Sequence, residues 1–225
     1  MSRVTRNHPV AGTGRAFDAE DFLGGALCLD FANSVDSWFT IPVPERLGSF
    51  ADWLSWSMAA QSLPDSELRA VERRAAQDAP AAKRALERAR AARDALHGML
   101  TARLQRRAPS RQDVATLNAC IAAARAQRRL VYSNGSFGQA WQGESADPER
   151  LLWPVMLDAE ALLLDADALQ RLHQCPAARC GWLFLDTSRN RSRRWCSMRT
   201  CGNVAKAQRH YARIKRARYA KERRS

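Results

Sequence analysis

The residues best equipped for chemistry are four cysteines near the C-terminal end, spaced Cys175-x4-Cys180-x15-Cys196-x4-Cys201. Two thiol pairs of equal spacing, with an intervening stretch long enough to turn back, suit a tetrahedral soft metal ion. Zinc held by thiolates wants four sulfurs at about 2.3 Å. Gly181 and Gly202 each follow the second cysteine of a pair, where the chain must bend tightly. With four protein ligands no position is left for a catalytic water, so the expected cofactor is a structural Zn2+. Four buried free thiols or two disulfides are the other readings of the same residues. They fit less well, because the segment is basic and offers few other apolar side chains. His210 could replace one thiol as a ligand, and Cys28 and Cys120, without such partners, read as core residues.

The charge pattern says what this segment would meet. The chain carries a net charge of +13 over 225 residues. Residues 171–225 hold 16 Lys or Arg against two acids, Asp186 and Glu222, whereas residues 1–170 hold 20 basic and 21 acidic residues. A one-sign segment is the electrostatic footprint of a protein that binds a polyanion, although a charged face is also often merely solvated. The candidate contacts are Arg189, Arg191, Arg193 and Arg194 in the loop TSRNRSRRW, with Lys206, Arg209, Arg213 and Arg216 along one face of a following helix. Val204, Ala207, Tyr211 and Ile214 fall on the other face, where they are expected to pack on the metal core. Asn203 or Gln208 could read base edges. Trp182 and Trp195 either stack on unpaired bases or pack around the metal. DNA is the expected partner, ahead of RNA.

The elements that must position these residues divide the chain in two. Residues 1–16 read as an arm, 17–168 as a helical unit, 170–216 as the finger and 217–225 as a basic tail. FLGGALCLDFANSV, residues 22–35, turns at Gly24-Gly25 and then buries Cys28, Leu29, Phe31 and Ala32. Ser49 caps a helix carrying Phe50, Trp53, Leu54 and Met58 on one face, and Ser110 with Asp113 caps another. Asn134-Gly135 between two short β-prone runs reads as a type I′ hairpin. Pro154 kinks the next helix or sets its start. In the finger, a zinc knuckle, a hairpin around residues 182–194 and a helix from the last cysteine compose a treble-clef-like module. The fold class is therefore mainly α: a helical N-terminal domain with one small β-hairpin, plus a C-terminal treble-clef-like zinc finger.

Function classes narrow accordingly. Histidines at 8, 97, 173 and 210 form no metal motif, and there is no nucleophile elbow or phosphate loop, so no enzyme is expected. No run of 18 apolar residues and no secretory start occur, which points to the cytoplasm and away from a membrane. The helical unit reads as a sensing or dimerising part, and a homodimer is a further expectation. Asp30 and Asn33 either wall a ligand pocket or cap helices. RNA binding, protein interaction and small-molecule sensing beside a structural zinc are the alternative readings.

The segment CGWLFLDTSRNRSRRWCSMRTCGNVAKAQRHYAR closely resembles the CGNR zinc finger of bacterial proteins, over roughly residues 172–214. The first unit is similar to the ABATE domain that precedes this finger, with FLGGALCLDFANSV as its opening segment. The resemblance implies a stress-induced transcription regulator whose finger binds DNA through its basic residues. One departure is Val204, where the name-giving motif has Arg.

Overall fold

The computed structural model describes residues 15–143 and 145–222, with the backbone alone for 216–222. Most of the expected arm and the last three residues of the tail lie outside the described residues.

After a capped turn at Ala19–Asp21, Gly25 takes a φ of +83° and the chain enters α1 (Leu27–Ala32). Cys28, Leu29, Phe31 and Ala32 are fully buried. The first turn of α1 has no cap of its own, and the Asp158 carboxylate accepts the Cys28 N–H at 2.8 Å instead. Helix α2 (Phe50–Ala59) starts at a Ser49–Asp52 capping box. Its buried aromatics are Trp53 and Trp56, which meet Phe31 at ring distances of 5.0 and 5.6 Å. Met58, expected inside, is exposed, because the helix rotates Trp56 into the core in its place.

Helix α3 (Asp65–Gln77) leads into the long α4 (Ala79–Leu104). After a turn, α5 (Arg111–Ala126), capped by Ser110, returns alongside α4. Alanines at 85, 89, 92 and 95 keep α4 slim where its neighbours cross, so backbones approach closely. Strands β1 (Arg128–Ser133) and β2 (Ser136–Trp141) form the expected hairpin, with Asn134 and Gly135 both at positive φ. Pro154 lies in the first turn of α6 (Trp153–Leu164), so it sets the start of that helix and does not kink it. The short α7 (Ala166–Gln170) passes almost directly into β3 (Leu172–Gln174).

Here the structure departs from the expected finger. The hairpin is not at residues 182–194. Strand β4 (Leu183–Leu185) pairs back with β3, and the loop between them is the zinc knuckle. Residues 186–195 contain no strand. A wide helical turn at Met198–Gly202 then enters α8 (Asn203–Glu222), which is continuous across residue 216 into the segment read as the basic tail.

The finger is not hung on a linker. Leu172, Leu183 and Leu185 belong to the same core cluster as α1, α2 and α6. The Asn33 carboxamide donates to the Leu183 carbonyl and accepts its N–H, both at 2.8 Å and buried. Leu185 donates to Gly24 O at 2.8 Å, Trp182 Nε1 to Val35 O at 2.8 Å, and Trp38 N to Cys180 O at 2.7 Å. Asn33→Ala strands the buried N–H and C=O of Leu183. It is expected to lower stability by about 2–4 kcal/mol, at roughly 1–3 kcal/mol per unsatisfied group, as measured by urea denaturation of the zinc-loaded protein.

Candidate metal centre and nucleic-acid interface

The sulfurs of Cys175, Cys180, Cys196 and Cys201 all lie within 4.8 Å of one another, with 3.5 Å between those of 180 and 196 and 3.7 Å between those of 196 and 201. A tetrahedron with sulfur about 2.3 Å from zinc has edges of about 3.8 Å, so the donor set has the size of a Zn–S4 site. Crowding itself calls for a cation. The neighbouring thiols donate to Cys175 and hold it far below the usual thiol range, while that sulfur pushes Cys180 and Cys196 up. Four sulfurs at this spacing cannot all be thiolates without a positive centre. Cys28 and Cys120 are buried in the helical part, each with its thiol pushed up by burial, as core residues should be. Among the described residues, His210 is not part of the sulfur cluster and lies beside Arg213 on α8.

The second core of the molecule is built on these thiols. Trp182 and Phe184 are buried with the cysteines, and Trp38 and Trp195 pack on them. Trp182 therefore packs and does not stack on bases. Gly181, at φ +77°, lies where a Cβ would come within 3.0 Å of Trp38 and Phe39. Trp38 in turn stacks on His97 at 3.8 Å, and burial holds that histidine neutral, with its pKa lowered to about 4.

The loop after β4 is organised by Asp186. Its carboxylate accepts from Ser188 N at 2.8 Å, Ser188 Oγ at 2.6 Å and Arg193 N at 2.9 Å, and these bonds hold its pKa below the ordinary value. The fold this imposes sends Arg189, Arg191 and Arg194 outward. Arg193 is different and corrects the expectation. Its guanidinium donates to Leu23 O at 2.9 Å and Cys196 O at 2.5 Å, more weakly to Leu185 O and Trp195 O, and lies over the Phe184 ring at 4.5 Å. It ties the loop to the helical domain and does not face solvent as a free cation.

On α8, Lys206, Arg209 and Arg213 are exposed, and the side chain of Arg216 lies outside the described residues. The apolar stripe does not pack on the metal core as expected: Val204 is 54% and Tyr211 71% exposed, and Ile214 is exposed too. The helix leaves the body after its first turn, so both of its faces meet water. Val204, in place of the motif's Arg, is thus a surface residue. Asn203 donates to Arg199 O at 3.0 Å at the helix entry, and both Asn203 and Gln208 are exposed. Two cations escaped sequence reasoning. Arg179 is exposed on the knuckle, and Arg199, between the second cysteine pair, bridges to Glu20. Their place inside the x4 intervals was the available signal.

Asp30 and Asn33 do not wall a pocket. Asp30 accepts the Gly24 N–H at 2.7 Å in a buried position, and Asn33 serves Leu183. Burial, with Asp158 nearby, raises the Asp30 pKa to about 7.

Two family models match the chain along these divisions. The CGNR zinc finger model matches residues 171–214, and the ABATE model, described as "Putative stress-induced transcription regulator", matches residues 25–166. The chain belongs to the ABATE family. It carries a CGNR zinc finger in which Cys175, Cys180, Cys196 and Cys201 form the zinc-binding site. No curated protein matches it. Among the described residues, no helix is long and apolar enough to cross a membrane.

Cys196→Ser is expected to reduce bound zinc from one ion per chain toward none, read by elemental analysis, and to broaden the near-UV signal of the tryptophans around the site. Structural zinc sites contribute about 10–16 kcal/mol of apparent binding energy, so chelation should unfold the segment between the cysteines. Asp30 gives a pH test. Its folded pKa lies above the unfolded value, so the native state binds the extra proton and loses stability as pH rises from 3.8 to about 7. Asp30→Asn retains an acceptor for Gly24 and removes this loss. Its stability relative to the unsubstituted protein should climb with pH across that window, by at most about 1.4 kcal/mol per unit.

Proposed function

We propose that this ABATE protein is a non-catalytic, zinc-dependent DNA-binding transcriptional regulator of the cytoplasm. In this reading the finger grips duplex DNA and the helical domain senses a signal or dimerises. The observation that carries it is the exposure of cations of one sign on a scaffold ordered by four thiolates. Arg189, Arg191 and Arg194 leave a loop that ends at Cys196, and Lys206, Arg209 and Arg213 leave a helix entered from Cys201. A single metal site thus anchors both the loop and the helix that carry these cations. Neutralising phosphates releases counterions, which makes such binding strong at low salt and steeply weaker at high salt.

Burial of Trp182 favours duplex DNA over single-stranded RNA, because it removes one of the two aromatic platforms that unpaired bases would use. A sensing role for the helical domain draws support from a groove of about 450 Å³ between α2, α3 and α4, lined by Phe50, Leu54, Ala82 and Leu86, with Glu72 and Lys83 among its charged residues. That volume suits a small, largely apolar molecule.

The test is a salt titration of full-length, zinc-loaded protein on a mixed-sequence duplex, with single-stranded RNA as competitor. Binding should fall steeply with salt and vanish on chelation. Replacing Arg189, Arg191 and Arg194 with Ala should reduce the log–log slope by roughly 0.9 for each phosphate that these arginines neutralise. Arg193→Ala should instead lower stability, because it frees the carbonyls of residues 23 and 196. An unchanged slope in the triple variant, or preferential capture by RNA, would overturn the DNA reading.

A further inference from the structure

The four sulfur ligands are not equally protected. Cys175, Cys180 and Cys196 are buried, at 0, 5 and 3% exposure, whereas Cys201 is partly exposed. A cleft of about 200 Å³ lies between the finger and the turn at Ala19–Asp21, and Cys180, Cys196 and Cys201 line it together with Ser197 and Thr200. Cys175 is not on this lining. The carboxylates around the cleft are already paired: Glu20 with Arg199, Asp21 with Arg46 and Arg15, and Asp36 with Arg46. A small uncharged molecule, little larger than water, has room there and meets no net barrier of charge.

The two cysteine pairs also differ in what holds them. Cys175 N–H donates to Trp182 O at 2.8 Å, Cys180 N–H to Ala177 O at 3.0 Å, and Cys180 O accepts from Trp38 N at 2.7 Å. Their hairpin puts Leu172, Leu183 and Leu185 into the core of the helical domain. Cys201 instead sits in the wide turn Met198–Gly202, which closes on itself through Gly202 N–H to Ser197 O at 2.9 Å and leads straight into α8. The Arg199–Glu20 bridge beside it is at the surface, where an ion pair contributes little. The Cys201 sulfur is therefore the tie between the metal centre and the basic helix. Its neighbour Cys196 lies 3.7 Å away, sulfur to sulfur, in the same segment. These two can close on each other without moving the hairpin. Cys180 is as near to Cys196, at 3.5 Å, but its backbone is bonded on both sides.

We propose that Cys201 is a site of reversible oxidation by hydroperoxides, with Cys196 as the resolving thiol. A cysteine that binds a metal does so as the thiolate, which is also the nucleophile, so the most accessible ligand reacts first. Cys201 Sγ attacks one peroxide oxygen, the O–O bond breaks and hydroxide leaves, giving a sulfenic acid. The Cys196 thiolate then attacks that sulfur, the S–O bond breaks and a second hydroxide leaves, giving the disulfide. The peroxide gains two electrons, the two thiolates lose one each, and two protons from solvent convert the hydroxides to water. Two of the four ligands are lost, a closed tetrahedral site no longer exists, and α8 is released from the body while the hairpin stays docked.

The experiment uses full-length, zinc-loaded, unsubstituted protein, because replacing a ligand would itself empty the site. Hydrogen peroxide is added up to one equivalent, free zinc is read with a chromogenic chelator, and the cysteines are mapped by mass spectrometry. One ion should be released per peroxide consumed, with a disulfide between Cys196 and Cys201, and a sulfenic-acid trap should mark Cys201. Cys175, Cys180, Cys28 and Cys120 should stay reduced, and a dithiol reductant with zinc should restore the starting state. Limiting iodoacetamide, without peroxide, should label Cys201 ahead of the other three ligands. Hydrogen exchange should speed up around residues 197–203 on oxidation, while the amides of Leu183 and Leu185 keep their protection. Retention of zinc and of all thiols in a large excess of peroxide would overturn the proposal. So would a disulfide joining Cys175 to Cys180, first labelling at a buried ligand, or equal loss of protection in the hairpin and the turn.

Discussion

One side-chain amide joins segments 150 residues apart and fixes how the two parts of this molecule meet. Asn33 presents a donor and an acceptor to the backbone of Leu183 as a neighbouring strand would. Among the described residues, strand β4 has β3 on one edge and no strand on the other. Left open, that edge would bury an unpaired N–H and C=O next to the apolar core, or invite another chain to pair with it. Asn33 closes it at Leu183, and the Gly24 carbonyl closes it again at Leu185. The zinc knuckle hangs from this same hairpin, so the position of the metal centre is set by α1 as much as by its own cysteines.

The basic segment shows how a strongly charged sequence can fold. Between residues 171 and 221 it has one acid, Asp186, which it uses to shape a loop and not to neutralise a cation. Its apolar content is too small for an independent core, and two devices compensate. Four thiolates replace a core with metal–ligand bonds, and Leu172, Leu183 and Leu185 borrow the core of the helical domain. Arg193 ties the two devices together, donating to Leu23 on one side and to Cys196 on the other. Like charges that would repel within a free peptide are thereby held outward on a rigid frame.

Local signals were legible in the sequence and long-range ones were not. The cysteine pairs, repeated at one spacing within a single short segment, the Asn134-Gly135 turn and the Ser49 and Ser110 caps are signals carried by nearby residues, and each appears in the structure. Arg193 could not be told from Arg191 or Arg194, since all three sit in one basic run and its partners, among them a carbonyl 170 residues away, are set by the fold. Asp30 and Asn33 could be read either as a polar wall or as caps, because nothing nearby in the sequence showed that Gly24 and Leu183 needed them. The stripe on α8 failed for another reason. Helical periodicity identifies a face, but it does not supply a surface for that face to cover, and α8 projects beyond the body. The finger's hairpin was displaced because the strand β3, Leu-His-Gln, is too short to announce itself.

Under the proposed DNA-binding role, a rigid junction also bears on how the protein would discriminate among sequences. Contacts from Arg and Lys to phosphates position a protein and carry no sequence information directly. Gln208 and Asn203 are the exposed amides on α8, and the Asn203 amide N–H is engaged by Arg199 O. If the finger binds a duplex as proposed, with so few side chains suited to base edges, discrimination would come largely from shape: the angle at which α8 leaves the body and the steps the duplex would have to deform to accept it. A finger on a flexible linker would average over such angles. Here α8 begins two residues after Cys201, and the first cysteine pair is held by a hairpin that Asn33, Gly24 and Trp38 lock to the helices. The angle is thus a property of the whole fold, so that a shift of α1, which touches α2 through Phe31, Trp53 and Trp56, would re-aim the cationic helix without altering one of its residues.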